Sequence, residues 1–384
     1  MKKKVLIFTG SRADYGLLKP LIYRFKKNSS TELILAAGGQ HFSKLFGNTH
    51  KEILKDNFKI DYSCKIKTDN IKDNEVVSYV GRSLINFTKF LKKETPDIVV
   101  LLGDRYEAYS FCLASFFLNI PIAHIHGGEL TLGAFDDGLR HSMTKLSNYH
   151  FSCHKNYAKR LVQLGENVKN VFNYGALGVE NALRTQLINK KKLFDKFNVP
   201  LNKKTILVTF HPETKKNGNI KNEINIFLSG LKKFKDIFFI FAYNNSDPNG
   251  KYYVKKIIKN KNNNNLTIIS SLGSKNYLSF LKNVDCIVGN SSSGIIEAPA
   301  LKTPTINIGN RQNGREFSRS IFTCKNDKAH IEKNIKKLVF KKKKIVYDNL
   351  FFKNNTSLNI FKKINSILKK NNKKNFKLFY DFKN

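Results

Sequence analysis

Polar residues suited to chemistry collect in seven short loops of this chain, nearly all of them directly after a run of apolar residues. The loop Leu102-Gly103-Asp104-Arg105-Tyr106-Glu107 sets a carboxylate beside a guanidinium. Such a neighbour holds a base ionised, although an ordinary surface ion pair has the same spelling. His124-Ile125-His126-Gly127-Gly128-Glu129 ends another apolar run. Strand alternation would turn His124 and His126 to one face, and the paired glycines imply close approach to the backbone. Two histidines and an acid also spell a metal site. No third histidine or cysteine stands near in sequence, so the group reads as a catalytic or hydrogen-bonding cluster and no metal is expected. Asp136-Asp137-Gly138-Leu139-Arg140-His141 opens a helical pattern, where either acid would serve as a cap, yet the two acids, Arg140 and His141 together exceed what capping needs.

The remaining loops suit an anion. In Thr9-Gly10-Ser11-Arg12-Ala13-Asp14-Tyr15-Gly16, Gly10 permits a turn and Asp14 stands where it would cap a helix starting near Tyr15. Arg12 beside that helix start makes an anion pocket, and a purely structural turn accounts for the residues equally well. His211, in Phe210-His211-Pro212-Glu213-Thr214, is placed to donate to a phosphate. Gly289-Asn290-Ser291-Ser292-Ser293-Gly294 leads into a helix, so backbone N–H groups, hydroxyls and the positive helix end make a diphosphate cradle; a plain serine cap is the alternative. The loop lacks the lysine and spacing of a P-loop. Glu297, one turn into that helix, is within reach of a ribose diol, and Gly309-Asn310-Arg311-Gln312-Asn313-Gly314-Arg315 adds two cations. Together these loops suggest a nucleoside diphosphate held by the second half and acid–base groups supplied by the first.

The elements that must position these loops alternate regularly. Short β-branched runs at 5–9, 32–37, 97–102, 121–125 and 150–153 are separated by helical patterns at 15–27, 74–93, 106–117 and 137–147. The second half repeats the habit, with strands at 205–210, 237–242, 266–270, 285–288 and 305–308 and helices at 220–232, 252–261, 274–282 and 294–301. This alternation predicts right-handed βαβ units and parallel sheets: an α/β protein of two Rossmann-like domains, 1–175 and 176–384, with ligand loops at the strand ends facing a shared cleft. A last helix at about 356–371 follows the final strand, and a crossing back to the first domain is open.

Composition removes several function classes. The 384 residues hold 41% apolar side chains, enough for two cores, and no uninterrupted apolar run approaches the length of a spanning helix, so a cytoplasmic protein without a membrane partner is expected. Met1-Lys2-Lys3-Lys4 followed by an apolar run only from Val5 to Phe8 reads as a first strand rather than a leader. Five separated cysteines without a CxxC pair read as buried thiols. The net charge of +39 invites nucleic acid, but only ten of the 68 basic residues are arginines and the lysines mix with asparagine in tracts without interleaved aromatics. A specific nucleic-acid partner is therefore not expected. Where lysine is this common, arginine marks a place that uses a planar fork, and Arg12, Arg105, Arg140, Arg311 and Arg315 all lie in the loops above.

In order and spacing, SRADYG, LGDRYE, HIHGGE, the DD-x-x-RH segment, FHPET, NSSSGIIEAP and GNRQNGR resemble the motifs of hydrolysing UDP-N-acetylglucosamine 2-epimerases, most closely those of bacterial sialic- and nonulosonic-acid pathways. The resemblance runs from Met1 to the FYDF near the C-terminus. It implies a GT-B-like pair of Rossmann-like domains and a reaction in which the C2 proton is abstracted, UDP leaves to give a 2-acetamidoglucal, and water adds to give N-acetylmannosamine. It implies no cofactor, no essential metal, a UDP-sugar substrate and a homodimer or tetramer. By the same resemblance Asp104 and Asp136, with Asp137 the near alternative, are catalytic carboxylates, and Arg12, His211, Asn245, Ser291, Ser292, Glu297 and Arg311 serve the substrate or its nucleotide; Arg105, Arg140 and Ser293, from the same loops, join them as binding candidates on their residue types alone. Animal and non-hydrolysing relatives carry a glutamate where this chain has His126. That glutamate's work then falls to His126 itself or to Glu129. A related 2,4-diacetamido-trideoxy sugar as substrate and a glycosyltransferase on the same fold are the alternatives.

Overall fold

In a computed structural model the described residues are 2–44, 47–66, 73–132, 134–211, 220–242, 250–259, 265–269, 272–341, 344–370 and 377–381. The chain divides into two compact units: Met1–Glu129, Asp136–Asn181 and Phe351–Asn384 form the first, and Leu130–Phe135 with Ala182–Leu350 form the second.

The first unit is built on seven parallel strands: β1 (Lys3–Thr9), β2 (Thr31–Ala37), β3 (Tyr62–Ser63), β4 (Ile98–Leu102), β5 (Ile122–Ile125), β6 (Tyr149–Ser152) and β7 (Val171–Asn173). Their order is β3-β2-β1-β4-β5-β6-β7. Strands β4 and β5 are buried at every position, as a sheet covered on both faces requires, which explains their unbroken apolar runs. Val5 and Ile7 of β1 face one core with Leu18, Leu21 and Phe25, while Leu6 and Phe8 face another with Phe87 and Phe111. The helix Thr356–Lys369 returns to this unit after the second is complete. Its Ile360, Ile364 and Leu368 recur every fourth residue and enter the core of Leu21 and Phe25.

The second unit has six parallel strands: β8 (Lys204–Thr209), β9 (Ile237–Ala242), β10 (Leu266–Ile269), β11 (Cys286–Gly289), β12 (Thr305–Ile308) and β13 (Ile321–Cys324). The order is β10-β9-β8-β11-β12-β13. In both sheets the order reverses beside the first strand, the switch point where an α/β sheet opens a ligand crevice at the strand ends. The segment Leu130–Phe135 joins this unit, where the Leu132 amide donates to the Asn313 carbonyl at 3.2 Å.

Strands β3, β7 and β13 and the helices Lys155–Gln163, Leu177–Arg184, Lys190–Lys196 and Lys328–Ile335 go beyond the expected elements. The helix expected over 294–301 is shorter and earlier, Ser292–Ile296. No helix among the described residues is long and apolar enough to cross a membrane.

Candidate active site

Arg140 organises the first unit's polar cluster. It projects from the helix Asp136–Leu146 and is 1% exposed. Its guanidinium pairs with Asp104, donates to the Glu129 carbonyl at 2.9 Å and reaches Asp137 at 3.5 Å. One buried fork thus ties together the loop after β4, the loop after β5 and the helix that follows. His141 Nε2 lies 3.8 Å from the other Asp137 oxygen. The expected neighbour pair is corrected: Asp104 does not pair with Arg105. Arg105 instead grips the fully buried Glu107 with two bonds of 3.2 Å. Arg105 precedes the helix with an extended backbone, so its side chain reaches back over the first turn to Glu107 and leaves Asp104 to Arg140.

His124 and His126 do not share a strand face. β5 ends at Ile125, and His126 takes the left-handed conformation with φ 69°. His124 is buried and bonds the Gly103 carbonyl at 2.7 Å; burial lowers its pKa to about 4, so it is a neutral N–H donor there. His126, 7% exposed, lies with Nδ1 2.6 Å from Glu129 Oε1. An ionised carboxylate only accepts, so Nδ1 carries the proton, and in the neutral imidazole it is Nε2 that presents the lone pair. That Nε2 is buried with no hydrogen-bond partner among the described residues. A left-handed histidine costs about 1–3 kcal/mol, and such strain gathers at functional sites. Gly128, with φ 78°, permits the turn behind it: a Cβ there would run into the Tyr157 carbonyl.

A third donor lies where none stood in sequence. β5 and β6 pair in parallel with Ile125 opposite Phe151, and the His126 amide bonds the Phe151 carbonyl at 2.9 Å. This register carries Cys153, one residue past β6, to the same place, where its thiol donates to Glu129 Oε1 at 3.1 Å. The ligand atoms of His126, Glu129 and Cys153 all lie within 4.8 Å of one another, and all three residues are buried. The signal was present in the alternation of β6, but only the strand register says that residues 126 and 153 meet.

Ser11 caps the helix Arg12–Lys27, accepting from the Asp14 amide at 3.3 Å, while Asp14 returns a carboxylate oxygen to the Gly10 amide at 3.3 Å. The cap is therefore Ser11 and not Asp14, and the helix starts three residues earlier than expected, at Arg12. Burial raises the Asp14 carboxyl to about 6, with Arg105 opposing and Glu107 adding to the rise.

In the second unit Asn290 is the hub. Its side-chain oxygen accepts from the His211 amide and its nitrogen donates to the His211 carbonyl, both at 2.7 Å. Its own carbonyl accepts from Gln312 Nε2 at 2.7 Å and Arg311 at 3.2 Å. The ends of β8, β11 and β12 are thereby joined around the serine turn. Ser291 caps the helix Ser292–Ile296, accepting from the Ser293 amide at 3.4 Å, and Ser293 bonds the Tyr277 hydroxyl. Glu297 closes that short helix and is 7% exposed. Asn290 and Gln312 escaped the sequence reading because neither is charged and each works on backbone groups. Asn245 lies outside the described residues, as do Pro212, Glu213 and Thr214 of the loop after β8.

The loops thus gather in each unit at the carboxyl ends of parallel strands. Residues 23–365 match the sequence profile of UDP-N-acetylglucosamine 2-epimerase. The chain belongs to this family. Among its relatives it is 37% identical to the polysialic acid biosynthesis protein P7 of Escherichia coli, over 99% of this chain and 97% of that one. It is 39% identical to the GDP/UDP-N,N'-diacetylbacillosamine 2-epimerase (hydrolyzing) of Campylobacter jejuni, over 83% and 84%. Among solved structures, UDP-GlcNAc 2-epimerase of Neisseria meningitidis bound to UDP-GlcNAc aligns with a TM-score of 0.78 at 20% identity, covering 95% of this chain and 100% of that one. The likeness shows that this member of the UDP-N-acetylglucosamine 2-epimerase family has the GT-B-like fold of two Rossmann-like domains.

Proposed function

We propose that the chain is a hydrolysing 2-epimerase that converts UDP-N-acetylglucosamine to N-acetylmannosamine and UDP. The observation that carries this reading is the His126–Glu129 pair: a buried imidazole with its Nδ1 proton held by a carboxylate and its Nε2 lone pair unpartnered. Such a group suits removal of a weakly acidic carbon-bound proton, for which the base must be positioned and desolvated. His126 takes the C2 proton, the C2–H electrons form the C1=C2 bond, and the C1–O bond breaks with its pair going to UDP. Water then adds its oxygen at C1 of the 2-acetamidoglucal while a proton returns to C2 from the opposite face. Asp104, Asp136 and Asp137 are the acids assigned to that return and to the water. The balance is redox-neutral and uses no cofactor.

Departing UDP gains charge, and the reading gives its stabilisation to Arg12, His211, Asn245, Arg311 and the turn Ser291, Ser292 and Ser293, with Glu297 on the ribose. Arg140 and Arg105 serve by holding Asp104 and Glu107. The family match supports the 2-epimerase reaction, and the hydrolysing relatives support its hydrolytic course.

A second reading, the same chemistry on a UDP-2,4-diacetamido-trideoxyhexose, is favoured by the hydrolysing diacetylbacillosamine 2-epimerases of Campylobacter jejuni and Legionella pneumophila, 39% and 31% identical to this chain. One experiment separates them: NMR of products from each UDP-sugar in deuterated water. Free N-acetylmannosamine labelled at C2 supports the first, turnover confined to the diacetamido sugar the second. Product without deuterium would rule out proton abstraction in either. His126→Gln should lower kcat by about 10²–10⁴.

A further inference from the structure

His126, Glu129 and Cys153 bring an imidazole, a carboxylate and a thiol within 4.8 Å, each from a different point along the chain and each buried. Glu129 Oε1 collects two protons at once, from His126 Nδ1 at 2.6 Å and from the Cys153 thiol at 3.1 Å. With Glu129 ionised, neutral His126 and a protonated thiol leave a single buried negative charge on the trio. Nitrogen, sulfur and oxygen donors in this combination are those that bind Zn²⁺ and its thiophilic congeners.

We infer that these three side chains form a binding site for a thiophilic divalent cation, with Zn²⁺ the physiological type and Cd²⁺ its spectroscopic analogue. The cation replaces the shared protons. The thiol releases its proton to solvent and binds as thiolate, His126 shifts to the tautomer that frees Nδ1, and Glu129 binds through the oxygen that now accepts both bonds. Two negative ligands and one dication make the occupied trio neutral, and binding releases one proton. Ligand atoms around tetrahedral zinc stand roughly 3.3–3.7 Å apart given bonds of about 2.0–2.3 Å, so Glu129 Oε1 has to withdraw by about 0.7 Å from His126 Nδ1 and by about 0.5 Å from Cys153 Sγ, which a carboxylate rotation supplies. The fourth position is left to water or substrate.

The other four cysteines, Cys64, Cys112, Cys286 and Cys324, belong to no such group among the described residues. Occupancy locks the imidazole and carboxylate on the metal, so the cation acts as an inhibitor of the proton transfer; this last clause alone rests on the proposed role of His126.

The test is titration of the chelator-treated full chain with Cd²⁺ and Zn²⁺. The ultraviolet charge-transfer band of a cadmium–thiolate bond should grow to one equivalent, and calorimetry with Zn²⁺ should give the same stoichiometry. Cys153→Ser should abolish the band and weaken Zn²⁺ binding by on the order of 100-fold or more, Glu129→Gln should weaken it by about 10–100-fold, and Cys64→Ser should leave both unchanged. Circular dichroism of each variant confirms folding, and the two independent variants guard against loss of either. Absence of the band in the native chain, or its persistence in Cys153→Ser, overturns the site, and so does Zn²⁺ binding undiminished in Glu129→Gln. If the cation binds but leaves turnover intact, the site stands and His126 is not the base.

Discussion

Asp14 sits partly buried at the first turn of the helix Arg12–Lys27, where burial raises its carboxyl to about 6 from 3.8. Between those values the folded chain holds a proton that the unfolded chain has lost, so stability falls as pH rises through this window and the cost is full above pH 6. Asp14→Asn keeps an acceptor for the Gly10 amide and removes the charge. It should raise Tm at pH 7.5 by an amount worth at most about 3 kcal/mol, less because the carboxyl is only partly buried, and the gain should shrink to nothing near pH 4. A Tm difference independent of pH would show that the shift is not there. Gly289 makes the complementary case without charge. Its φ of 145° is one that side chains rarely adopt, and a Cβ would strike the Thr209 carbonyl, so Gly289→Ala should lower the urea midpoint by the equivalent of about 2 kcal/mol or more and weaken UDP binding with it. Most members of the two polar clusters were legible as candidates at this scale because charged and hydroxyl side chains are conspicuous at strand ends. Their partners were not: Asp104 with Arg140 rather than Arg105, and Cys153 with Glu129, follow from register and helix start, which no local pattern encodes.

Elements were legible wherever the periodicity ran long enough to be distinguished. Strands β9 and β12 have the expected limits, and the helix Tyr106–Phe117 likewise. Strands β3 and β7, of two and three residues, are too short to show alternation, and their extended backbone is set by pairing with β2 and β6. One element owes its ending to a distant segment. Lys377 Nζ donates to the carbonyls of Thr144, Lys145 and Ser147 at 2.7, 2.9 and 2.7 Å, and lies 2.7 Å from Glu166. It thus satisfies the C-terminal carbonyls of the helix Asp136–Leu146 and complements its dipole. Glu166 in turn holds His150 at 2.8 Å. Lys377→Met should cost about 1–3 kcal/mol, read as a lower denaturant midpoint. Because the same helix bears Asp136, Asp137 and Arg140 at its other end, kcat should fall more than KM rises; an unchanged kcat would mean that the helix holds its place without the cap.

At the scale of the whole chain, the charge of +39 is spread over lysine-rich surface, so attraction to polyanions should be of the counterion-release kind. Any RNA retained at 50 mM salt should wash off by about 200 mM, and retention at that salt would reopen a nucleic-acid role. The return of the last helix to the first unit was an open possibility in the sequence, since an amphipathic helix names its apolar face and not the surface that face meets. Its placement makes the first unit discontinuous, built from segments on both sides of the second. Ile364 is fully buried on this helix, in the core that also holds Val5, Ile7 and Phe25. Ile364→Ala removes a buried side chain at a cost of about 2–5 kcal/mol, a large part of a domain's entire stability. The loss falls on the unit whose core it joins, although the residue lies nearly 200 positions after most of that unit's chain. Hydrogen exchange followed by region should therefore show faster exchange in β1, β4 and β5, while β8 and β11 keep their protection. Equal acceleration in all five strands would mean that the two units unfold as one cooperative body, and acceleration confined to Thr356–Lys369 would mean that the first unit is stable without it.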